Sequence, residues 1–291
     1  MFSMACVEPP GEVLKVIPGD LPTEVFTAGL AGWGQSIAEV EGVVWAASED
    51  EGRVESTDGE GLAGPWAGRG IWLGERSGQL LIGVSGLGLF DHLGALVWEA
   101  PSSRAFATNG VHWVVAEDDR VIHSDGRSWL LEDPRAVAMD GARIAALSCT
   151  DRADCRVLEL GDSIVELGRG EAGGDLDFFE GVLWWGLPEL EDPEGEGSVV
   201  SENGKEHWGR TGDHLGRSIG GGYAAGSTNG RQVPRVLRIQ SLNASTAYAV
   251  DRSSGSHSVA LEGRSGTLLV GVPGWVGDGG AVMVVGVEEA P

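Results

Sequence analysis

Phenylalanine and tyrosine are scarce in this chain, at 6 and 2 of 291 residues, and cysteine occurs three times. Basic residues are few: 20 Lys and Arg stand against 44 Asp and Glu, a formal net charge of −24. So acidic a chain repels nucleic-acid phosphates, whose recognition needs clustered Lys and Arg, and it repels anionic membrane faces in the same way. Cations or basic protein surfaces are its natural partners, unless the acids serve as a solvated coat that keeps the chain soluble. No run of 18 apolar residues occurs, so no transmembrane helix is expected. Amphipathic helices are missing too, because no long Leu, Ala, Glu and Lys run keeps a 3.6-residue period. The chain has no Gly-x-x-x-x-Gly-Lys-Ser/Thr loop, no Gly-x-Gly-x-x-Gly in a βαβ setting and no Gly-x-Ser-x-Gly nucleophile elbow standing between a strand and a helix, so the common nucleotide-binding and hydrolase signatures are not met.

What is abundant is glycine, at 48 residues, with 11 tryptophans. Glycine at this level without a three-residue period suits many tight turns between short strands. Apolar runs rich in Val, Ile, Leu and Trp recur at 42–47, 79–84, 111–116, 142–147, 181–186, 220–226 and 266–272, each bounded by turn residues. Their starts lie 31 to 46 residues apart, the spacing expected of a propeller blade. A further strand is expected after each, at 52–56, 94–98, 120–123, 155–160, 198–200, 235–239 and 280–285, with an acidic insertion at 190–197. The spacing therefore predicts an all-β chain: a seven-bladed β-propeller of four-stranded antiparallel blades spanning 12–291, after an N-terminal tether or signal remnant at 1–11. Stacked blades bury one another's faces. Small residues, among them Ala46, Ala47, Gly83, Ala145, Ala146, Ala224, Ala225 and Gly271, are assigned to the strands around the central channel. The tryptophans are read as packing between blades. Residues 12–17 are expected to pair with the final strand and close the ring, giving a monomer.

Cys149 and Cys155 enclose five residues and are expected to form a disulfide, a sign of an exported protein. Cys6 reads either as a lipidated cysteine at the end of a lipoprotein signal or as part of an ordinary cytosolic start. The six histidines form no metal-binding spacing. His112 and His123 flank a hairpin and could approach each other. His92 and His214 share an Asp-His-Leu-Gly wording that suggests a common turn role. Adjacent acids are too numerous to mark a site.

One resemblance is visible. Residues 266–285 carry Val272-Pro273 and Gly279-Gly280-Ala281-Val282, and resemble the FG-GAP repeat of integrin alpha-subunit propellers. Trp33-Gly34-Gln35-Ser36-Ile37 and Leu215-Gly216-Arg217-Ser218-Ile219 resemble the opening half of the same repeat, and 90–95 echo it. Units three to five match by spacing alone. Ser36 and Ser218 are read as capping hydroxyls. The resemblance implies a seven-bladed, extracellular or surface propeller, adhesive or ligand-binding, with calcium in some blade loops. Here the loops depart from the alternating Asp pattern that calcium needs. Asp50 and Asp278 are the remaining calcium candidates, and no other cofactor is expected. The resulting expectation is a non-catalytic binding or scaffold propeller, extracellular, periplasmic or lipid-anchored, with a protein or carbohydrate ligand on one face of the ring. The alternative is a propeller-type hydrolase or lyase acting on carbohydrate.

Overall fold

In the computed structural model the described residues are 24–151, 154–192, 194–227, 236–243, 247–251, 260–264, 267–273 and 279–286. They form seven antiparallel sheets of four strands each, and no helix occurs among them. The sheets follow one another in sequence as the blades of a β-propeller. Blade one comprises Ile37–Val40, Val43–Ser48, Arg53–Ser56 and Gly61–Ala63. The innermost strands of blades two to seven are Ile71–Arg76, Ala105–Thr108, Pro134–Asp140, Leu176–Phe179, Ser218–Gly220 and Ala260–Arg264. Blade seven is completed from the N-terminal side: Glu24–Phe26 pairs with Ala281–Gly286 in the register Val25 to Met283. Residues 12–17, expected to make this closure, lie outside the described residues.

Packing explains the ring. The buried apolar residues fall into seven clusters, and each straddles one pair of neighbouring blades. Between blades two and three, for example, Leu81 and Leu89 meet Phe106, Trp113 and Val115. Alternate residues of one strand serve opposite interfaces, as the two-residue strand period demands. Ala46 packs toward blade seven and Ala47 toward blade two. Burying each larger side chain stabilises the fold by roughly 1.5–3 kcal/mol, before the chain entropy is counted.

The seven apolar runs read from the sequence correspond to the second strand of each blade, not to the innermost one. The small residues assigned to the channel therefore sit one strand further out. There they admit the inner strand of the adjacent blade: a Cβ on Gly83 would lie 2.5 Å from the Phe106 ring. A second correction concerns residues 94–98. Of these, 96–98 belong to the outermost strand of blade two, Leu96–Glu99, because a short third strand, Gly88–Phe90, precedes it. Trp33, Trp66, Trp113, Trp129, Trp184 and Trp185 are buried between blades, but Trp98 and Trp208 are exposed on outermost strands.

Candidate functional site

Each innermost strand terminates its sheet, so one main-chain edge of it faces the axis of the ring. Together these edges enclose a cavity of about 900 Å³ that touches all seven blades. An open strand edge needs partners for its N–H and C=O groups. Side chains of neighbouring blades supply several. Leu73 N–H donates to Ser36 Oγ at 2.9 Å, and Ile71 N–H to Glu49 Oε1 at 3.1 Å. Ile219 N–H donates to Asp175 Oδ2 at 2.9 Å, while Leu176 N–H reaches Asp175 Oδ1 at 2.9 Å. The Thr108 hydroxyl donates to the Glu75 carbonyl at 3.0 Å. Burial pushes the Asp175 carboxyl up to about 6, against the lowering effect of its two backbone donors. Glu49 is raised by the same cause, opposed by the Ile71 N–H and reinforced by the nearby Asp50.

The residue entering the innermost strand from one end of the channel has a described equivalent in six of the seven blades. Gln35 and Arg104 share the same main-chain bond, each N–H donating to the second strand, to Ala47 and Ala116. The Ser36 and Gly70 carbonyls accept equivalent bonds from Ala47 and Ser85, which aligns Arg69 with Gln35. Gly34 and Gly216 make matching bonds to Ala47 and Ala225, which aligns Arg217. Arg135 enters blade four two residues before Val137, as Gln35 does before Ile37. Gly174 takes the place in blade five, since Asp175 accepts the second-strand bond from Gly186. Four of the six described positions are therefore arginines. Arg104 is paired to Asp118 and Asp133, and Arg135 to Asp133. Arg69 donates to the Ser85 carbonyl at 3.2 Å. Arg217 lines the cavity, is half-buried and has no ion pair or hydrogen bond among the described residues. Burial lowers its pKa from the usual guanidinium value.

No family model matches the sequence, and no curated protein matches it. Solved structures do. The computationally designed Ika8 protein is 12% identical, with 90% of this chain aligned to 98% of that one at a TM-score of 0.54. PorZ, an essential bacterial surface component of the type-IX secretion system of Porphyromonas gingivalis, is 11% identical over 92% of this chain, with a TM-score of 0.56. Raptor of Chaetomium thermophilum is 13% identical over 93% of it, with a TM-score of 0.67. The chain spans only 40% of PorZ and 29% of Raptor. At such identities these likenesses show the propeller fold and nothing about activity.

The residues singled out in the sequence fall in different places. Trp33-Gly34-Gln35-Ser36 and Leu215-Gly216-Arg217-Ser218 occupy equivalent positions at the channel entrance of blades one and six. Trp33 and Leu215 are buried, and Gly34 and Gly216 have φ of +99° and +100°. Gly34 packs on the backbone of Gly271 and Val272, and Gly216 on that of Gly186 and Leu187. Val272-Pro273 and Leu187-Pro188 thus hold equivalent places in blades seven and five. Cys149 and Cys155 are direct cross-strand partners in blade four, joined by a disulfide of 2.08 Å and buried against blade five.

The histidine readings divide. The His112 and His123 rings approach to 5.1 Å, and His123 Nδ1 lies 2.7 Å from Asp125. His92 and His214 do not share a role: His92 sits in the hairpin before Leu96–Glu99, while buried His214 enters blade six with Nδ1 3.0 Å from the Pro188 carbonyl. Asp50 adjoins Glu49, and no group of three or more His, Cys, Asp or Glu suited to a metal ion occurs among the described residues. Asp278 and Cys6 lie outside the described residues, and no helix among these is long and apolar enough to cross a membrane. Asp175 and Arg217 went unrecognised as site residues. The only signal was alignment of the two Gly-x-Ser segments, which puts Arg217 opposite Gln35.

Proposed function

We propose that this chain is a non-catalytic binding propeller that holds its ligand at the arginine-bearing mouth of the central channel. The observation that carries this reading is Arg217, a half-buried cation lining the cavity with no partner among the described residues. Burying a charge without a partner is costly, so such groups mark sites where a partner arrives. Fold likeness says nothing about chemistry, and the site must carry it. The channel carboxylates that face strand edges, Glu49 and Asp175, act as hydrogen-bond acceptors for backbone, and no histidine among the described residues lines the cavity. The buried Cys149–Cys155 pair and the FG-GAP-like halves support an exported or surface-attached protein related to integrin alpha-type propellers. Arrays of peptides and neutral and acidic oligosaccharides test the reading. Wild type should retain a ligand that Arg217→Trp, which fills the mouth, loses at unchanged melting temperature. Equal retention by both would move the site elsewhere.

A second reading, a carbohydrate hydrolase or lyase, is favoured by the raised pKa of Asp175, which is the mark of a general acid. Turnover of an array oligosaccharide by wild type and its loss in Asp175→Asn would establish that reading instead.

A further inference from the structure

The channel mouth also specifies the chemistry of what binds there, and this inference rests on the binding reading above. We infer that the ligand is a peptide segment presenting one carboxylate, from a C-terminus or an Asp or Glu side chain, to the Arg217 guanidinium.

Charge comes first. Arginines hold four of the six described entrance positions in a chain whose acids outnumber its bases by 44 to 20. Three of them are already engaged: Arg104 by Asp118 and Asp133, Arg135 by Asp133, and Arg69 by a backbone carbonyl. Arg217 alone among them keeps its planar fork unoccupied, and a carboxylate matches that fork with two parallel hydrogen bonds. Glu49 and Asp175 line the same cavity, so a doubly charged phosphate or a polyanion meets more repulsion there than a single carboxylate does.

The surroundings of the cation favour a peptide over an acidic sugar. Sugars are commonly held on open aromatic faces, and the cavity's aromatic rings are taken. Trp72 stacks on Phe106 with centroids 6.1 Å apart, and Arg143 lies over Phe178 at 4.9 Å. What the cavity offers instead is strand edge, the surface that main-chain N–H and C=O groups of an extended peptide complement.

The test uses the full chain and an array of decapeptides, each synthesised with Asp or Glu and again with Asn or Gln, and with free or amidated C-termini. Oligogalacturonate and its methyl ester are run alongside. Wild type should favour the carboxylate-bearing member of its peptide pairs by tenfold or more. Arg217→Gln should abolish that preference, and Arg217→Lys should retain part of it. Glutamine is the residue that the fold itself carries at the equivalent Gln35, so this variant should fold, and an unchanged melting temperature checks it. Binding with no carboxylate preference overturns the inference, as does a preference that survives Arg217→Gln, retention of galacturonate in place of peptide, or no peptide binding at all. If Arg217→Trp abolishes binding while Arg217→Gln leaves it intact, the channel reading stands and the carboxylate inference falls.

Discussion

Asp175 shows how one side chain can be both structural support and a liability. Its two oxygens hold the Leu176 and Ile219 N–H groups, yet burial raises its pKa to about 6, above the usual aspartate range. A carboxyl raised on folding is disfavoured in its charged form. Its contribution is therefore greatest below the unfolded value and falls as pH rises through about 6. That displacement from the usual aspartate range corresponds to ~2–3 kcal/mol. Asp175→Asn cannot accept both N–H groups and should be the less stable protein near pH 4. The gap to wild type should narrow by ~2 kcal/mol by pH 7, measured by urea unfolding, and a gap independent of pH would refute this account. Cys149 and Cys155 offer a second test at this scale. Cross-strand partners in an antiparallel pair, they are positioned to be bridged with little rearrangement. Protein purified without reductant should show an intact mass two hydrogens below the reduced chain. The Cys149→Ala/Cys155→Ala double variant should be less stable by ~2–3 kcal/mol, as expected for closing a short loop. Free thiols in the untreated protein would show that the pair stays reduced.

Two glycines connect the blades as elements. Gly216 has φ +100°, and a Cβ there would lie 2.6 Å from Gly186 Cα and 2.7 Å from the Ser198 carbonyl of blade five. Gly34 repeats the contact with blade seven, where a Cβ would lie 2.6 Å from the Ala281 carbonyl. Neither backbone can yield without parting two blades. Gly216→Ala should thus cost more than ~2 kcal/mol, whereas Gly94→Ala, with φ +77° but open space around it, should cost only ~1 kcal/mol. Equal melting temperatures for the two variants would show that the blade contact is soft. These elements also show what the sequence made legible. Second strands such as Gln79–Val84 and Arg143–Cys149 are buried on both faces, so their unbroken apolar runs stand out. Innermost strands such as Ser218–Gly220 are short and mix turn residues with polar ones that face the channel, so they read as loops. The exposed outermost strand Leu96–Glu99 reads as a third strand from the sequence, because the true third strand, Gly88–Phe90, is only three residues long and opens on a glycine. The channel site was hidden for a related reason. Asp175 and Ile219 are 44 positions apart, and only the stacking of blades five and six brings them together.

At the scale of the whole ring, stability depends on how the last blade is joined to the first. Six blades are continuous in sequence, but blade seven takes its fourth strand, Glu24–Phe26, from the N-terminal side. The cluster between blades seven and one contains Leu30, Trp33, Ile37, Leu269 and Val282, with Phe26 and Val284 packed against it. This cluster joins residues from the two ends of the chain, so opening it exposes the edge of Ala281–Gly286. That edge is apolar and free of proline, and a bare edge of that kind invites pairing between molecules. Deleting residues 1–23 keeps the closing strand Glu24–Phe26 and sets the reference for a longer truncation. Deleting residues 1–27 removes three ladder residues and the buried part of Phe26, roughly 2 kcal/mol. In a chain of this size that corresponds to a fall of ~4–8 °C. The longer truncation should also self-associate, read by light scattering, because the ring can then satisfy its open edge only with another chain. If both truncations melt together and stay monodisperse, closure does not depend on Glu24–Phe26, and the interface of blades seven and one is held by its apolar cluster alone.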